Sequence, residues 1–403
     1  MVRHPPRLAP FQQGRVAPLS PEQARRLLSP AGREAVAAAA ALDLRPDGRL
    51  VAAEAVRAAY GPELGPLALE QALLRERARS KHPRGAELWW TGPALEQASS
   101  FEVATHRAHR FHRPALDLCC SVGGDLLTLP DGSVGVDLDE TRLLLGRANA
   151  EALGRAVCFV RADVTTLPRP PGADVFVDPA RRASGRRVFD PRAYSPPLDL
   201  VLSWRDSVRS LVVKAAPGLD HEALPSDLEV DVVSLRGEVK EAVLLAGVAR
   251  SGVRRTATLL PGPHILTGAP VAAPAVRPPG PWLLEPDGAV VRAHLVAQLA
   301  GQLGAWLVDE TIAYLSAAAP VPTPYGRWFE VLELLPFSLK PLRERLRAHD
   351  AGALVVKKRG TAVQPDLLRR QLRLTGSREV TIVLTRAAGR QIAMVVRPLS
   401  PGG

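Results

Sequence analysis

Cysteine, lysine and aromatic rings are scarce in this chain, and long apolar runs are missing. Three cysteines in 403 residues (Cys119, Cys120, Cys158) are too few for a disulfide framework, which points to a reducing, cytoplasmic setting. Cys119 and Cys120 read as small buried residues of a strand, facing opposite sides. No run approaches the ~20 apolar residues that span a bilayer, and the alanine block at 35–41 is too short, so no membrane partner is expected. The basic first 19 residues lack the apolar core of a secretory signal. His106, His109 and His112 recur every third residue, but Arg107, Arg110 and Arg113 interleave and no Glu-containing zinc signature accompanies them. The reading is a basic surface face and no metal.

What is present describes a globular protein. Hydrophobic residues make up 46% and mean hydropathy is zero, enough for a substantial core in two or three domains. The formal net charge is +11, with 52 basic residues of which six are lysine. A coding bias accounts for arginine over lysine but not for the excess over acids. Such an excess attracts nucleic acid at long range, and arginine forks grip phosphates.

Residues 1–113 read as an N-terminal helical region. The first 17, rich in Pro and Arg, are expected to be poorly ordered. Helices follow over 21–28, 31–42, 51–58 and 66–77, with Ser20-Pro-Glu-Gln23 as a start signal. The basic run 77–84 precedes Leu88-Trp-Trp90 and reads as a solvated face, with contact to RNA as the alternative. One further helix is expected over 95–111.

The most informative stretch is 114–139. An apolar run from Ala115 to Cys120, interrupted by Asp117, predicts a buried strand that breaks at Ser121-Val-Gly123-Gly124-Asp125. A second strand, Val134-Gly-Val136, ends in Asp137. Glycines let backbone approach a ligand where a Cβ would collide, and an acid at the next strand tip can accept bonds from ribose hydroxyls. The dinucleotide fingerprint G-x-G-x-x-G is missing. A short turn with the carboxylate of Asp125 beside it suits an amine-bearing or cationic ligand better than a diphosphate; S-adenosylmethionine meets that demand. A helix over 140–153, a third strand closed by Asp163, a fourth running into Asp178-Pro179 and a fifth, Leu211 to Lys214, continue the pattern. Asp137, Asp163 and Asp178 follow at intervals of 26 and 15 residues. In an open parallel sheet such tips line one ligand-binding edge; the alternative is that each Asp only caps a turn.

These stretches, with Glu96-Gln-Ala-Ser99, Phe176-Val-Asp-Pro-Ala-Arg181, Pro322-Thr-Pro324 and Val355-Val-Lys-Lys-Arg-Gly360, resemble class I S-adenosylmethionine-dependent methyltransferases, specifically bacterial ones with a C-terminal THUMP-like domain. The resemblance covers nearly the whole chain. It implies an α/β fold: a Rossmann-like seven-stranded methyltransferase domain over 114–270, behind the helical region and before a small α/β THUMP-like domain over 271–403. It further implies that Asp117, Ser121, Gly123 and Gly124 surround the donor's methionine part, with Asp125 also among the donor-binding residues, that Asp137 holds the ribose and that Asp163 approaches the adenine. Asp178 and Pro179 occupy the place where amine-methylating enzymes carry Asp/Asn-Pro-Pro-aromatic, and so read as catalytic. Here Ala180 and Arg181 replace the last two positions, so a stacking ring must come from Phe189, Tyr194 or Trp204. A uracil-C5 mechanism needs a cysteine nucleophile, and all three cysteines precede Asp178.

Between the fourth and fifth strands, Arg181, Arg182, Arg186 and Arg187 put four positive charges at the expected pocket rim. A hairpin of 228–235 and 242–249 completes the sheet, and the proline-rich 261–281 reads as a linker. The last domain is read as a helix over 287–306, a strand 329–335, a helix 339–348, a strand 353–358, a helix 364–373 and strands 380–385 and 391–397. Its basic residues, Lys357, Lys358 and Arg359 among them, suit an RNA backbone. The expected activity is methyl transfer to structured RNA at a base nitrogen. A small-molecule or protein acceptor, and a donor-binding module without catalysis, stay open.

Overall fold

The computed structural model describes residues 18–180, 182–183, 186–187, 193–269 and 271–399. The Pro- and Arg-rich start, Arg181 and Phe189 lie outside that range. The chain divides into two compact units between Leu167 and Pro168.

The first unit opens with helices. Ser20 caps α1 (Pro21–Leu28) in a capping box with Gln23, and Ser29 caps α2 (Pro30–Ala40). Helix α3 (Arg49–Ala78) is broken by Gly61 at φ +82°, so the two helices expected over 51–58 and 66–77 are two arms of one kinked element. The single helix expected over 95–111 is instead α4 (Gly92–Gln97) and α5 (Phe101–Ala108). The cause is Lys81, whose ammonium donates to the carbonyls of Leu95 (2.7 Å), Glu96 (3.1 Å) and Ala98 (2.7 Å) and so stands in for the next helical turn.

Three parallel strands follow, β1 (Leu116–Leu118), β2 (Val134–Asp137) and β3 (Cys158–Arg161), in the order β1-β2-β3. Helix α6 (Glu140–Leu153) joins β2 to β3, capped by Asp139 at one end and by left-handed Gly154 at the other. Leu27, Val36, Val56, Trp89 and Trp90 share one core with Val122, Leu145 and Ala148, so the N-terminal helices are part of the sheet unit. Each large side chain in it contributes roughly 1.5–3 kcal/mol. The tryptophans are core, with Arg75 4.2 Å from the centre of the Trp89 ring. The neighbouring basic run is engaged too: Lys81 as above, Arg79 with Glu76, and Arg84 with Glu87 and the Ala152 carbonyl.

The second unit holds β4 (Asp174–Val177), the antiparallel ribbon β5 (Arg182–Ala183) and β6 (Arg186–Arg187), α7 (Leu198–Ser203), β7 (Ser210–Ala215), β8 (Glu229–Leu235), β9 (Glu238–Gly247), β10 (Arg255–Leu260) and β11 (His264–Gly268). Strand β4 is parallel to β7, which pairs antiparallel with β9; β8 completes the expected hairpin with β9. The seven strands expected over 114–270 are thus present, three in the first unit and four in the second. Two more, β10 and β11, extend from β8, so the stretch read as a linker over 261–281 includes a strand.

The remaining elements are β12 (Trp282–Pro286), α8 (Gly288–Arg292), α9 (Val296–Leu303), β13 (Trp306–Asp309), β14 (Ile312–Ala317), β15 (Gly326–Pro336), α10 (Leu339–Ala348), β16 (Ala351–Lys358), α11 (Pro365–Leu372), β17 (Arg378–Ala387) and β18 (Arg390–Pro398). They form a seven-stranded sheet in the order β13-β14-β12-β15-β18-β17-β16. The long helix expected over 287–306 is α8 and α9, separated where His294 adopts φ +59°. Helices α10 and α11 bury Leu342, Leu346, Leu368 and Leu372 in one core with Ile382, Leu384, Ala393 and Val395 of the sheet. Helix α8 rests on the preceding strands so closely that a Cβ on Gly288 would lie 2.5 Å from Val239. His294 stacks on His221, ring centres 4.8 Å apart, and the Tyr325 hydroxyl donates to the Ile265 carbonyl (2.7 Å). Among the described residues no helix is long and apolar enough to cross a membrane.

Candidate active site

In the first unit the site begins where β1 stops. Cys119 turns to φ +75° and Ser121 to φ +52°, sparsely populated conformations for non-glycine residues that concentrate at functional sites. The N–H groups of Cys119 and Cys120 both donate to the Val136 carbonyl (2.8 and 3.0 Å). Cys119 is therefore half-exposed in a turn, not in the strand as the sequence suggests, and Cys158 is exposed; only Cys120 is buried. Burial, reinforced by Asp117 and Asp137, pushes the Cys120 thiol well up, so it is inert. Gly123 follows at φ +85°, which a side chain rarely tolerates.

Asp137 ties this turn to β2. Its carboxylate accepts the Ser121 N–H (2.9 Å) and the Asp139 N–H (2.9 Å), and each oxygen keeps a second acceptor direction. Asp117 is buried in β1, in register with Gly135. Asp125 pairs with the buried Arg107 of α5, whose guanidinium also donates to Ser99 Oγ (3.1 Å). Arg107 thus belongs to the interior and not to a basic surface face. Among the described residues no cluster of His, Cys, Asp or Glu could hold a metal. Asp163 follows β3 on the same strand-end edge as Asp137, but its exposed carboxylate accepts from Thr165 N (2.9 Å) and Oγ1 (2.7 Å). Those bonds hold it below the usual carboxylate range; its side chain caps its own turn, the alternative weighed for each strand-end acid.

Sequence reasoning passed over two residues of this unit. Asn149 of α6, fully buried, accepts the Trp89 N–H (2.6 Å) and donates to the carbonyls of Trp89 (3.1 Å) and Val122 (3.0 Å). It lies four residues after Leu145 on the helix's buried stripe, and a polar residue there is the signal that could have found it. Leu138 stands 61% exposed directly after Asp137, an apolar side chain left at a strand tip. The helical region leaves a crevice of about 10 Å³ against the turn, lined by Trp90, Ser99, Phe101, Val122 and Gly124, room for one water.

In the second unit Asp178 follows β4, and Ala180 exchanges backbone bonds with Ser195 (2.9 and 3.0 Å). Lys214 of β7, itself buried, places Nζ 2.5 Å from Asp178 Oδ2. This lysine holds the half-buried acid, a role the sequence reading did not give it. Tyr194 is buried with its hydroxyl accepting the Ala216 N–H (3.3 Å), and Trp204 is buried beneath Arg169. Neither offers a ring face for stacking. Of the arginine run, the backbones of Arg182, Arg186 and Arg187 form β5 and β6. In the last domain Lys357 pairs with Glu285 across the Phe329 ring. Lys358 donates to the Val363 carbonyl (2.9 Å), and Arg359 donates to the carbonyls of Ala313 (2.7 Å) and Pro286 (3.2 Å) over Tyr314.

A partly buried turn made of glycine and left-handed residues, latched by a strand-tip acid with acceptor capacity to spare and an exposed leucine beside it, could take a nucleoside carrying an amino-acid tail. Comparison with known proteins shows the family. The chain is 42% identical over 354 residues to an uncharacterized S-adenosylmethionine-dependent methyltransferase of Mycobacterium tuberculosis, found in two strains, covering 84% of this chain and 98% of that protein. It therefore belongs to the S-adenosylmethionine-dependent methyltransferases, and its methyl donor is S-adenosylmethionine. Residues 326–398 match the THUMP domain-like family, and residues 20–78 match a domain family of unknown function. A solved structure described as a methyltransferase from Porphyromonas gingivalis W83 superposes with a TM-score of 0.69 at 21% identity, covering 84% of this chain and 92% of that one; it attests the fold.

Proposed function

We propose that this methyltransferase modifies structured RNA at a base nitrogen, in the cytoplasm. The observation that carries the reading is Asp178-Pro179 at the tip of β4, its carboxylate held by buried Lys214, in the same compact unit as the THUMP domain-like segment. The net charge of +11 supports a polyanionic acceptor. The division into a helical region (1–113), a catalytic domain (114–270) and a THUMP-like domain (271–403) is part of the proposal.

In this reading Asp137 accepts from the ribose hydroxyls, the turn at Ser121, Gly123 and Gly124 admits the methionine part, and Asp117 and Asp125 fix the turn from beneath. Asp163 shapes the adenine end through its loop, and Leu138 offers that end an apolar surface. Bound S-adenosylmethionine supplies an electrophilic methyl carbon on a sulfonium. Asp178 accepts an N–H of the acceptor's amine and so fixes the direction of its lone pair. The same carboxylate can relay the proton that the nitrogen must lose. Lys214 keeps Asp178 oriented.

One observation favours a second reading, a small-molecule acceptor: Tyr194 and Trp204 are both buried, which leaves a flipped base without those rings to stack on. Mass spectrometry of nucleosides from cells with and without the gene decides. A methylated nucleoside that disappears with the gene supports the RNA reading; an unchanged profile overturns it.

A further inference from the structure

Of the cations that the sequence marks as an RNA grip, Lys357 and Arg359 are engaged with partly buried partners, and the exposed Lys358 donates to the Val363 carbonyl. The same domain carries a second basic set on α10, on α11 and at Arg373, the residue after α11. Over these stretches there are seven cations, Lys340, Arg343, Arg345, Arg347, Arg369, Arg370 and Arg373, against two acids, Glu344 and Asp366. Three of the seven are engaged: Arg345 with Glu333, Arg369 with Asp366, and Arg343 with the Gln371 carbonyl (2.6 Å). The other four, Lys340, Arg347, Arg370 and Arg373, are exposed and have no acidic partner among the described residues.

These four belong to one surface. Leu342 and Leu346 of α10 and Leu368 and Leu372 of α11 enter the same core, so the two helices lie on one side of the sheet and turn their remaining faces outward. Arg343 reaches across to Gln371, which brings the basic turns together. Arg347 stands one turn beyond Arg343, and Arg370 and Arg373 flank Gln371. Glu344 is the one acid there without a partner among the described residues. Basic residues near helix C-termini gain something from the helix dipole, but only about 0.3–1 kcal/mol each. That accounts for Arg347, Arg370 and Arg373, yet not for Lys340, which sits in the first turn of α10 where the dipole disfavours a cation.

We infer that the outer face of α10 and α11, and not the 357–359 segment, is the surface that takes the phosphate backbone of RNA, with Lys340, Arg347, Arg370 and Arg373 as its contacts. This rests on the RNA reading above and names where the acceptor is held. Exposed cations without acidic partners bind phosphates at little desolvation cost, whereas Lys357 and Arg359 would first have to abandon partly buried bonds.

The test uses the full-length protein and a fluorescein-labelled RNA hairpin, titrated at several salt concentrations. One variant carries Lys340→Gln, Arg347→Gln, Arg370→Gln and Arg373→Gln. A control removes the same charge elsewhere, with Arg57→Gln, Arg77→Gln, Arg250→Gln and Arg327→Gln. The face variant should bind at least about tenfold more weakly at low salt, and its slope of log Kd against log salt should flatten by about 3, at 0.7–0.9 per lost contact. Its thermal midpoint and its affinity for S-adenosylmethionine should stay at wild-type values, and the control should change little. A face variant that binds as wild type, or a control that loses as much, overturns the inference while leaving the RNA reading intact. Wild-type protein that does not bind the hairpin, or binds it without salt dependence, overturns both.

Discussion

Asp137 and Asp178 sit at equivalent places, each just at the end of a parallel strand, yet the two units hold them differently. Asp137 is buried and receives two backbone N–H groups of its own unit. Asp178 is half-buried and receives a side-chain ammonium from the neighbouring strand. Backbone donors cannot move away, so Asp137 is held in one geometry. A lysine tip has three rotatable donors on a flexible stem, so Asp178 can exchange part of its bond for one from an acceptor. In the proposed reading the fixed acid serves the donor and the adjustable one the acceptor, a division that these two kinds of partner support.

Substitutions break this contrast in graded ways. Asp178→Ala should have the largest effect, lowering turnover by about 10²–10⁴-fold in a tritiated-methyl assay; normal turnover would remove Asp178 from the mechanism. Asp137→Ala should weaken donor affinity by about 10–100-fold, since bonds to a charged group contribute about 1.5–3 kcal/mol. Competition between S-adenosylmethionine and a fluorescent analogue would measure that loss, and unchanged affinity would count against the assigned role. Lys214→Met should lower turnover roughly tenfold or more and spare donor affinity, because a partly buried carboxylate loses its cation; a kcat that holds steady would show that the lysine is only structural. Asn149→Leu leaves buried backbone groups of Trp89 and Val122 without a partner and should cost about 1–3 kcal/mol of stability in urea.

The smallest effect concerns the seam between α8 and the strands beneath it. Burial, with His294 and Arg255 adding to it, pulls the His221 imidazole down to about 4, against about 6.5 in an unfolded chain. Between those values the unfolded chain takes up a proton that the folded one refuses, so stability falls as pH drops through that window and is unaffected above it. Glu222 and Asp220 oppose the shift without reversing it. His221→Phe should flatten the fall in thermal midpoint between pH 6.5 and 4. An identical slope in wild type and variant would show that the stack carries no pH dependence.

Much of this was legible from local pattern. Helices α1, α6 and α10 lie within a residue of their expected ends, because caps such as Ser20, Asp139 and Gly154 act through neighbours in sequence. The turn after β1 was legible because Gly123, at φ +85°, marks it in the sequence. The missed features depend on residues far apart in the chain. Lys81 ends α4 from 14 residues away, Asn149 reaches Trp89 across 60, and Lys214 reaches Asp178 across 36. The same holds for the basic segment 357–359: Glu285, the partner of Lys357, lies 72 residues earlier. Charge is visible in sequence, but whether a charge is already engaged is settled by the fold.

Calorimetric titration of S-adenosylmethionine into wild type, Asp137→Ala and Asp178→Ala, side by side, tests the contrast between the two acids most directly. The account predicts wild-type heat and affinity for Asp178→Ala and a much reduced affinity for Asp137→Ala, with all three proteins folded by circular dichroism. Equal loss in both variants, or loss in Asp178→Ala alone, would contradict it.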